Sequence, residues 1–176
     1  LTELFNRRYF QDALQSALLH NSEGAIVLLD LDQFKEVNEL SGHHVGDHLL
    51  REVAETLFLN LGQRSIIARL GGDEFAMWLD RTDTAAARKR AAGLIAASKG
   101  LRVFSGAPDK PLGISVGVAV FDAGGEAEAV AALMARADAA MYEIKHGGKS
   151  GYVIAAAAGP EEVPAEVSDE ETDADE

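Results

Sequence analysis

Arg69-Leu70-Gly71-Gly72-Asp73-Glu74-Phe75 stands between two short apolar segments, Ser65 to Leu70 and Phe75 to Leu79. Glycine takes positive φ without steric cost, so Gly-Gly between β-type segments predicts a hairpin, here with two carboxylates at its bend. Upstream, the run Ala25-Ile26-Val27-Leu28-Leu29 is apolar enough for a buried strand and ends in a second acidic pair, Asp30 and Asp32. Were strand and hairpin neighbours, their acids would offer hard oxygen ligands to a divalent cation beside a bare glycine turn, where a triphosphate could approach the backbone. Acids at turns also serve as solvated caps of local backbone groups, and spacing alone leaves both readings open.

The remaining elements follow from apolar periodicity. Asn6 to His20 places Phe10, Leu14, Ala17 and Leu18 on one helical face. Gly24 to Leu31 reads as a buried strand, Gln33 to Leu40 as a short helix broken near Ser41-Gly42, and Val45 to Leu61 as a helix with Leu49, Leu50, Val53, Leu57 and Leu61 in register. After hairpin strands 65–70 and 75–79, a helix is expected from Thr84, capped by Asp83 or Thr84, to Lys99. Leu101 to Phe104 reads as a short strand, Ser105 to Gly113 as a loop, and Ile114 to Phe121 as a further strand. The last helix, from about Glu126 to His146, aligns Val130, Leu133, Met134, Ala137, Met141 and Ile144 and is stopped by Gly147-Gly148. Tyr152-Val153-Ile154 would add an edge strand. This order predicts an α/β (α+β) sandwich of the ferredoxin-like kind.

The chain of 176 residues suits one domain plus a tail. Without cysteine it can form neither disulfides nor thiolate metal sites, which agrees with a cytoplasmic location. No apolar run approaches the ~20 residues of a membrane span, so no membrane contact by this domain is expected. Of the net charge of −13, nine acids lie in residues 161–176, leaving a charge of −4 for the rest. From Ala155 onward, alanine, proline and acid without periodicity read as a disordered tail, which divides the chain into a domain at 1–154 and a tail at 155–176. An acidic body without basic stripes argues against a nucleic-acid partner.

The glycine-acid stretch resembles the signature of the GGDEF family, the diguanylate cyclases, which condense two GTP into cyclic di-GMP. Leu1-Thr2-Glu3-Leu4-Phe5-Asn6-Arg7-Arg8 is similar to the family's opening Leu-Thr-Gly-Leu-x-Asn-Arg-Arg, and Asp30-Leu31-Asp32-Gln33-Phe34-Lys35-Glu36-Val37-Asn38 to its Asp-x-Asp-x-Phe-Lys-x-x-Asn. Gly42-His43-His44-Val45-Gly46-Asp47 matches Gly-His-x-x-Gly-Asp, Ser115-Val116-Gly117-Val118-Ala119 matches Ser-Ile-Gly-Val-Ala, and Ala137-Asp138-Ala139-Ala140-Met141-Tyr142 with Lys145 matches the closing helix. The motifs run in the family's order over residues 1 to about 153. The resemblance implies a mostly antiparallel five-stranded sheet wrapped by helices, like the nucleotidyl cyclase palm.

It also implies a site. Asp30, the Leu31 backbone carbonyl and Asp73 would hold Mg²⁺, with Mn²⁺ as the alternative, and Glu74 would stand by a second cation. Asp73 would assist deprotonation of the attacking 3′-hydroxyl, alongside Glu74 and Lys35 in the catalytic group. Phe34, Lys35, Gly71, Gly72, Lys145 and Lys149 would hold GTP, the lysines against its phosphates. Lys149 replaces the family's arginine, a point charge for a bidentate fork, so weaker phosphate clamping is expected. Asn38 and Asp47 match the guanine readers, and an acceptor carboxylate suits guanine N1–H and N2–H₂. Arg69 would brace the hairpin or the paired subunit, and Asp32 is expected to be structural, as a cap on the following helix. Taken alone, Lys35 reads as a solvated lysine and Asp47 as a first-turn acid.

Glu3 and Glu39 depart from the family pattern without removing a ligand. The family's inhibitory product site, Arg-x-x-Asp, would fall on Gly62 and Ser65, and Arg64 is out of register, so no product-inhibition site is expected. His44 and His48 are four apart, yet one helix face offers no third zinc ligand, and His43 is expected to be a structural hydrogen-bonder. A transient homodimer with one GTP per subunit is expected. Because the chain opens inside the first matched motif, a fragment lacking an upstream sensory or receiver domain is also expected. The alternatives are a catalytically silent GTP-binding regulatory module and a pure interaction domain.

Overall fold

The computed structural model describes residues 1–20, 23–62, 64–122 and 128–157. Helix α1 (Arg7–Leu19) starts at Asn6, whose side chain accepts from the Tyr9 amide at 2.9 Å. Strand β1 (Gly24–Asp32) is buried along its length. Helices α2 (Phe34–Ser41) and α3 (His43–Leu61) meet at Gly42, whose φ of 86° is a conformation that a side chain would strain. The hairpin of β2 (Ser65–Gly71) and β3 (Glu74–Asp80), helix α4 (Thr84–Ser98), strand β4 (Gly113–Phe121), helix α5 (Val130–Gly147) and strand β5 (Gly151–Ile154) complete the order. Asp83 caps α4, accepting from the Ala86 amide at 2.7 Å.

The five strands form one sheet in the order β2-β3-β1-β4-β5. β1 lies at its centre, antiparallel to β3 and β4, and β5 joins β4 in parallel at the edge. Side chains alternate between the two faces. Ala25, Val27, Leu29 and Leu31 of β1 enter a core with Leu49, Leu50, Val53 and Leu57 of α3 and Ala87, Ala91 and Leu94 of α4. Ile26 and Leu28 enter a second core with Phe10 and Leu14 of α1 and Leu133, Ala137 and Met141 of α5. By the same alternation Asp30 and Asp32 continue the second face, toward the end of α5. That helix lies against β4 so closely that a Cβ on Gly117 would collide with the Ala137 carbonyl.

Three local expectations are corrected. Leu101 to Phe104 is not a strand but the end of a 3-10 helix, Lys99–Phe104. Apolar residues two and three apart in so short a segment satisfy either period. The structure buries Leu101 and leaves Val103 83% exposed, and the Ser105 amide closes the turn on the Arg102 carbonyl at 3.0 Å. Helix α5 begins at Val130, after Ala129 in an extended N-cap conformation, and Glu128 just before it pairs with Arg136 at 2.7 Å. Residues 126 and 127 of the expected helix lie outside the described residues, as does the tail from 158 onward. Helix α3 starts at His43, not Val45, directly after the Gly42 corner. At the other end, hydrogen bonding continues past β5: the Ala155 amide donates to the Val118 carbonyl at 2.7 Å, and Arg136 donates to the Ala156 carbonyl at 2.8 Å.

Candidate functional site

Strand β1 and the β2–β3 hairpin are neighbours, and their register brings the acidic pairs together. Asp30 stands opposite Glu74 on one side and Ser115 on the other. The Leu31 amide donates to the Asp73 carbonyl at 3.3 Å, which ties the bend to the end of β1. Gly71 and Gly72 have φ of 150° and 51°, and a Cβ at either would meet nothing within 4 Å, so the outer side of the bend is open. Arg69 clamps this bend within its own chain, with Nε and Nη2 donating to the Gly72 carbonyl at 3.0 and 2.6 Å.

Lys145, in the last turn of α5, places Nζ 2.7 Å from Asp30 Oδ2. Burial raises the Asp30 carboxyl above the usual carboxylate value; the hydrogen bond from Lys145 opposes that rise, and the charge of Asp73 adds to it. Burial works to lower Lys145, but the bond to Asp30 and the charges of Asp30, Asp73 and Glu74 outweigh it and leave the ammonium above its ordinary value. Lys145 is thus paired with Asp30 and also feels the charges of Asp73 and Glu74. Among the described residues no three His, Cys, Asp or Glu side chains form a ready metal cage. The donor set still fits a hard divalent ion: Mg²⁺ usually takes one or two carboxylates and completes its shell with substrate phosphates and water.

Beside this cluster lies a cavity of about 490 Å³ lined by Phe34, Lys35, Asn38, Glu39, His43 and Asp73. Asp73 belongs to both. Lys35 is 84% exposed and pairs with Glu39 at 3.5 Å, so its amine stands on the rim. Asn38 is held against α3, because a Cβ on Gly46 would collide with Asn38 Oδ1, and Asp47 follows as a half-buried residue of that helix. His43 faces the cavity and is exposed, whereas His48 turns to Glu52 at 3.3 Å. Lys149 sits beyond α5 with φ of 65°, its amide donating to the Ile144 carbonyl at 2.9 Å.

Asp32 is structural, but it is not a helix cap. Gln33 occupies the N-cap position of α2 in a left-handed conformation without a side-chain cap bond. Asp32 Oδ1 instead accepts from Ser115 Oγ at 2.7 Å, and Oδ2 accepts from the Ser150 amide at 2.9 Å. It therefore fastens the turn that carries Lys149 to the sheet. Sequence reasoning gave no role to Ser115, Ser150 or Arg7, whose Nη2 lies 3.5 Å from Glu74 Oε2. The available signal was the two-residue spacing of Asp30 and Asp32, which puts both on one strand face.

At the locus of Gly62 and Ser65 there is a cavity of about 510 Å³, whose lining includes Arg64, Asp80, Arg81 and Arg90. Arg90 already donates to the Leu61 carbonyl at 3.1 Å, and Arg81 lies 3.7 Å from Asp80. No helix among the described residues is long and apolar enough to cross a membrane.

The family model described as diguanylate cyclase, GGDEF domain, matches residues 1–151. The chain is 38% identical over 156 residues to the bifunctional diguanylate cyclase/cyclic di-GMP phosphodiesterase MucR of Pseudomonas aeruginosa, covering 86% of this chain and 22% of MucR. It is 34% identical over 156 residues to the cyclic di-GMP phosphodiesterase PdeR of Escherichia coli, covering 88% of this chain and 23% of PdeR. Among solved structures, a GGDEF-only form of TpbB from Pseudomonas aeruginosa matches with a TM-score of 0.77 and 32% identity, over 88% of this chain and 92% of that one. The chain spans under a quarter of the length of MucR or PdeR. The hairpin signature, the sheet order and the family match over residues 1–151 agree: this chain belongs to the GGDEF family of diguanylate cyclase domains.

Proposed function

We propose that this domain is a diguanylate cyclase that joins two GTP into cyclic di-GMP with release of two pyrophosphates, serving second-messenger signalling in the cytoplasm. The observation that carries the reading is the meeting of Asp30, Asp73 and Glu74 where β1 and the hairpin end together, with Lys145 paired to Asp30 and Asp73 also lining the cavity walled by Asn38. Members of the family are generally divalent-metal dependent. Bound Mg²⁺, or Mn²⁺ in its place, would neutralise the triphosphate and make the attacking 3′-hydroxyl easier to deprotonate.

Asp30, Asp73, Glu74 and the Leu31 carbonyl are the groups that would hold it. Asp73 also takes the proton from the 3′-hydroxyl. Lys35, Lys145 and Lys149 hold phosphate oxygens, and the open glycine bend lets the triphosphate lie against the backbone. Phe34 packs at the base end of the cavity. Asp47 accepts from guanine N1–H and N2–H₂ while the Asn38 amide meets O6 or N3, a pattern that adenine reverses. Catalysis by such a site is largely positioning and charge stabilisation. Each subunit of a transient homodimer supplies one GTP, and a sensory or receiver domain elsewhere in a longer protein would govern that pairing.

Incubating the chain with GTP and Mg²⁺, with ATP in parallel, tests the reading. The expected result is cyclic di-GMP and pyrophosphate from GTP alone. Nucleotide binding without product would favour the silent regulatory module, a rival kept open by the similarity to PdeR, which is named as a cyclic di-GMP phosphodiesterase.

We also infer that product feedback is weak. Gly62 and Ser65 supply neither a guanidinium nor a carboxylate, and Arg90 and Arg81 of the neighbouring cavity are engaged with Leu61 and Asp80. With the GTP site blocked, calorimetry should find weak binding of cyclic di-GMP. Tight stoichiometric binding lost on Arg64→Ala would reveal an altered inhibitory site after all.

A further inference from the structure

We propose that Arg7 is a positioning residue that sets the affinity of the site for its second divalent cation, by holding the Glu74 carboxylate in a pair that competes with the cation. This inference rests on the reading of Glu74 as a cation ligand. Arg7 Nη2 lies 3.5 Å from Glu74 Oε2, and both side chains are about half exposed. A guanidinium at Oε2 draws on the negative charge of the Glu74 carboxylate and sets a positive charge close to any divalent ion on it, so the two cations oppose one another. The resting cluster therefore holds three carboxylates against two side-chain cations, Lys145 on Asp30 and Arg7 on Glu74.

The segment leading into Arg7 is fastened to the same hairpin. The Phe5 amide donates to the Ile67 carbonyl at 3.3 Å, and the Arg69 amide donates to the Phe5 carbonyl at 2.9 Å, which pairs Phe5 in parallel with Ala68. Arg69 in turn clamps the Gly72 carbonyl. The start of α1 is thus attached at one side of the bend, and Arg7 reaches the other side at Glu74. Displacement of Phe5 to Arg7 would move the guanidinium relative to Glu74 and change how freely that carboxylate reaches the cation.

A cavity of about 370 Å³ lies beside the pair, lined by Leu70, Phe75 and Met134, with Asp138 of α5 on its wall. Arg7, Glu74 and Asp138 all line this space, so a further carboxylate stands on the wall of the same cavity. The pair is exposed enough to exchange partners, since half-exposed ion pairs are worth little individually.

The test is Mn²⁺ affinity, read by electron paramagnetic resonance on the full chain in wild type, Arg7→Ala, Arg7→Gln, Arg7→Lys and Glu74→Gln. Both neutral Arg7 variants should bind Mn²⁺ about two- to five-fold more tightly, the span that an exposed pair of this kind allows. Arg7→Lys should stay near wild type because the charge is kept, and Glu74→Gln should bind more weakly. The Mn²⁺ concentration for half-maximal turnover should shift down with the neutral variants, while their melting temperature holds. Unchanged or weaker Mn²⁺ binding in folded Arg7→Ala and Arg7→Gln, with Glu74→Gln still weakened, overturns the role of Arg7 and leaves the cation reading standing. Wild-type Mn²⁺ binding by Glu74→Gln overturns both.

Discussion

Asp30 and Asp32 are two residues apart on the same face of β1, both nearly buried, at 7% and 4% exposure, and they do different things. Asp32 is held by donors that belong to the fold, the Ser115 hydroxyl and the Ser150 amide. Among the described residues Asp30 pairs with one long, flexible cation, Lys145, while burial and then the charge of Asp73 oppose its ionisation. A buried carboxylate with fixed neutral donors joins elements of structure. One whose only strong partner is a mobile cation can exchange that partner for another. The difference lies in what each strand neighbour supplies and cannot be read from the acids themselves.

On the exchangeable side, a large effect is expected at Asp73, the acid that neighbours Asp30 across the bend. Asp73→Ala should lower cyclic di-GMP formation by about a hundredfold or more, the scale of losing a principal charge-stabilising group, and leave the fold intact. Undiminished product from the folded variant would remove Asp73 from the mechanism. On the fixed side, Asp32→Ala leaves the Ser115 hydroxyl and Ser150 amide without their acceptor and should cost about 2–3 kcal/mol of stability, measured by denaturant unfolding. A stability equal to wild type would mean that the two donors find other partners. Ser115→Ala is the finest probe: it removes one of the bonds to Asp32 and should cost about 1 kcal/mol with turnover unchanged.

Much of the fold was legible because its signals were redundant. The Gly-Gly bend, the apolar run of β1 and the heptad-like spacing in α3 each stated one element, and Asn6 and Asp83 marked helix starts that the structure confirms. Leu101 to Phe104 failed because so few residues cannot separate a two-residue period from a three-residue one. The start of α5 was set too early: Ala129 takes an extended conformation as its N-cap, and the alanine-rich stretch before it carries no capping side chain to mark the boundary. At the site, Asp30, Asp73, Glu74 and Lys145 were legible from their motifs, and the register of β1 with the hairpin brings the acids together. The roles of Ser115, Ser150 and Arg7 were not, because each depends on a partner distant in sequence, 83 residues away for Ser115 and 118 for Ser150. The acidic stretch 161–176 lies outside the described residues. We propose that it is a solvated tail.

The most direct measurement follows product formation from GTP and Mg²⁺ by Asp30→Asn and Asp32→Ala beside the wild type, with a melting curve for each. Asp30→Asn should make no cyclic di-GMP and melt at or near the wild-type temperature, because burial already disfavours the Asp30 charge. Asp32→Ala should melt earlier and still turn over, slowed only as far as the Lys149 turn is loosened. Wild-type turnover by Asp30→Asn, or a loss in folded Asp32→Ala as complete as that expected for Asp30→Asn, would contradict the division of labour between the two acids.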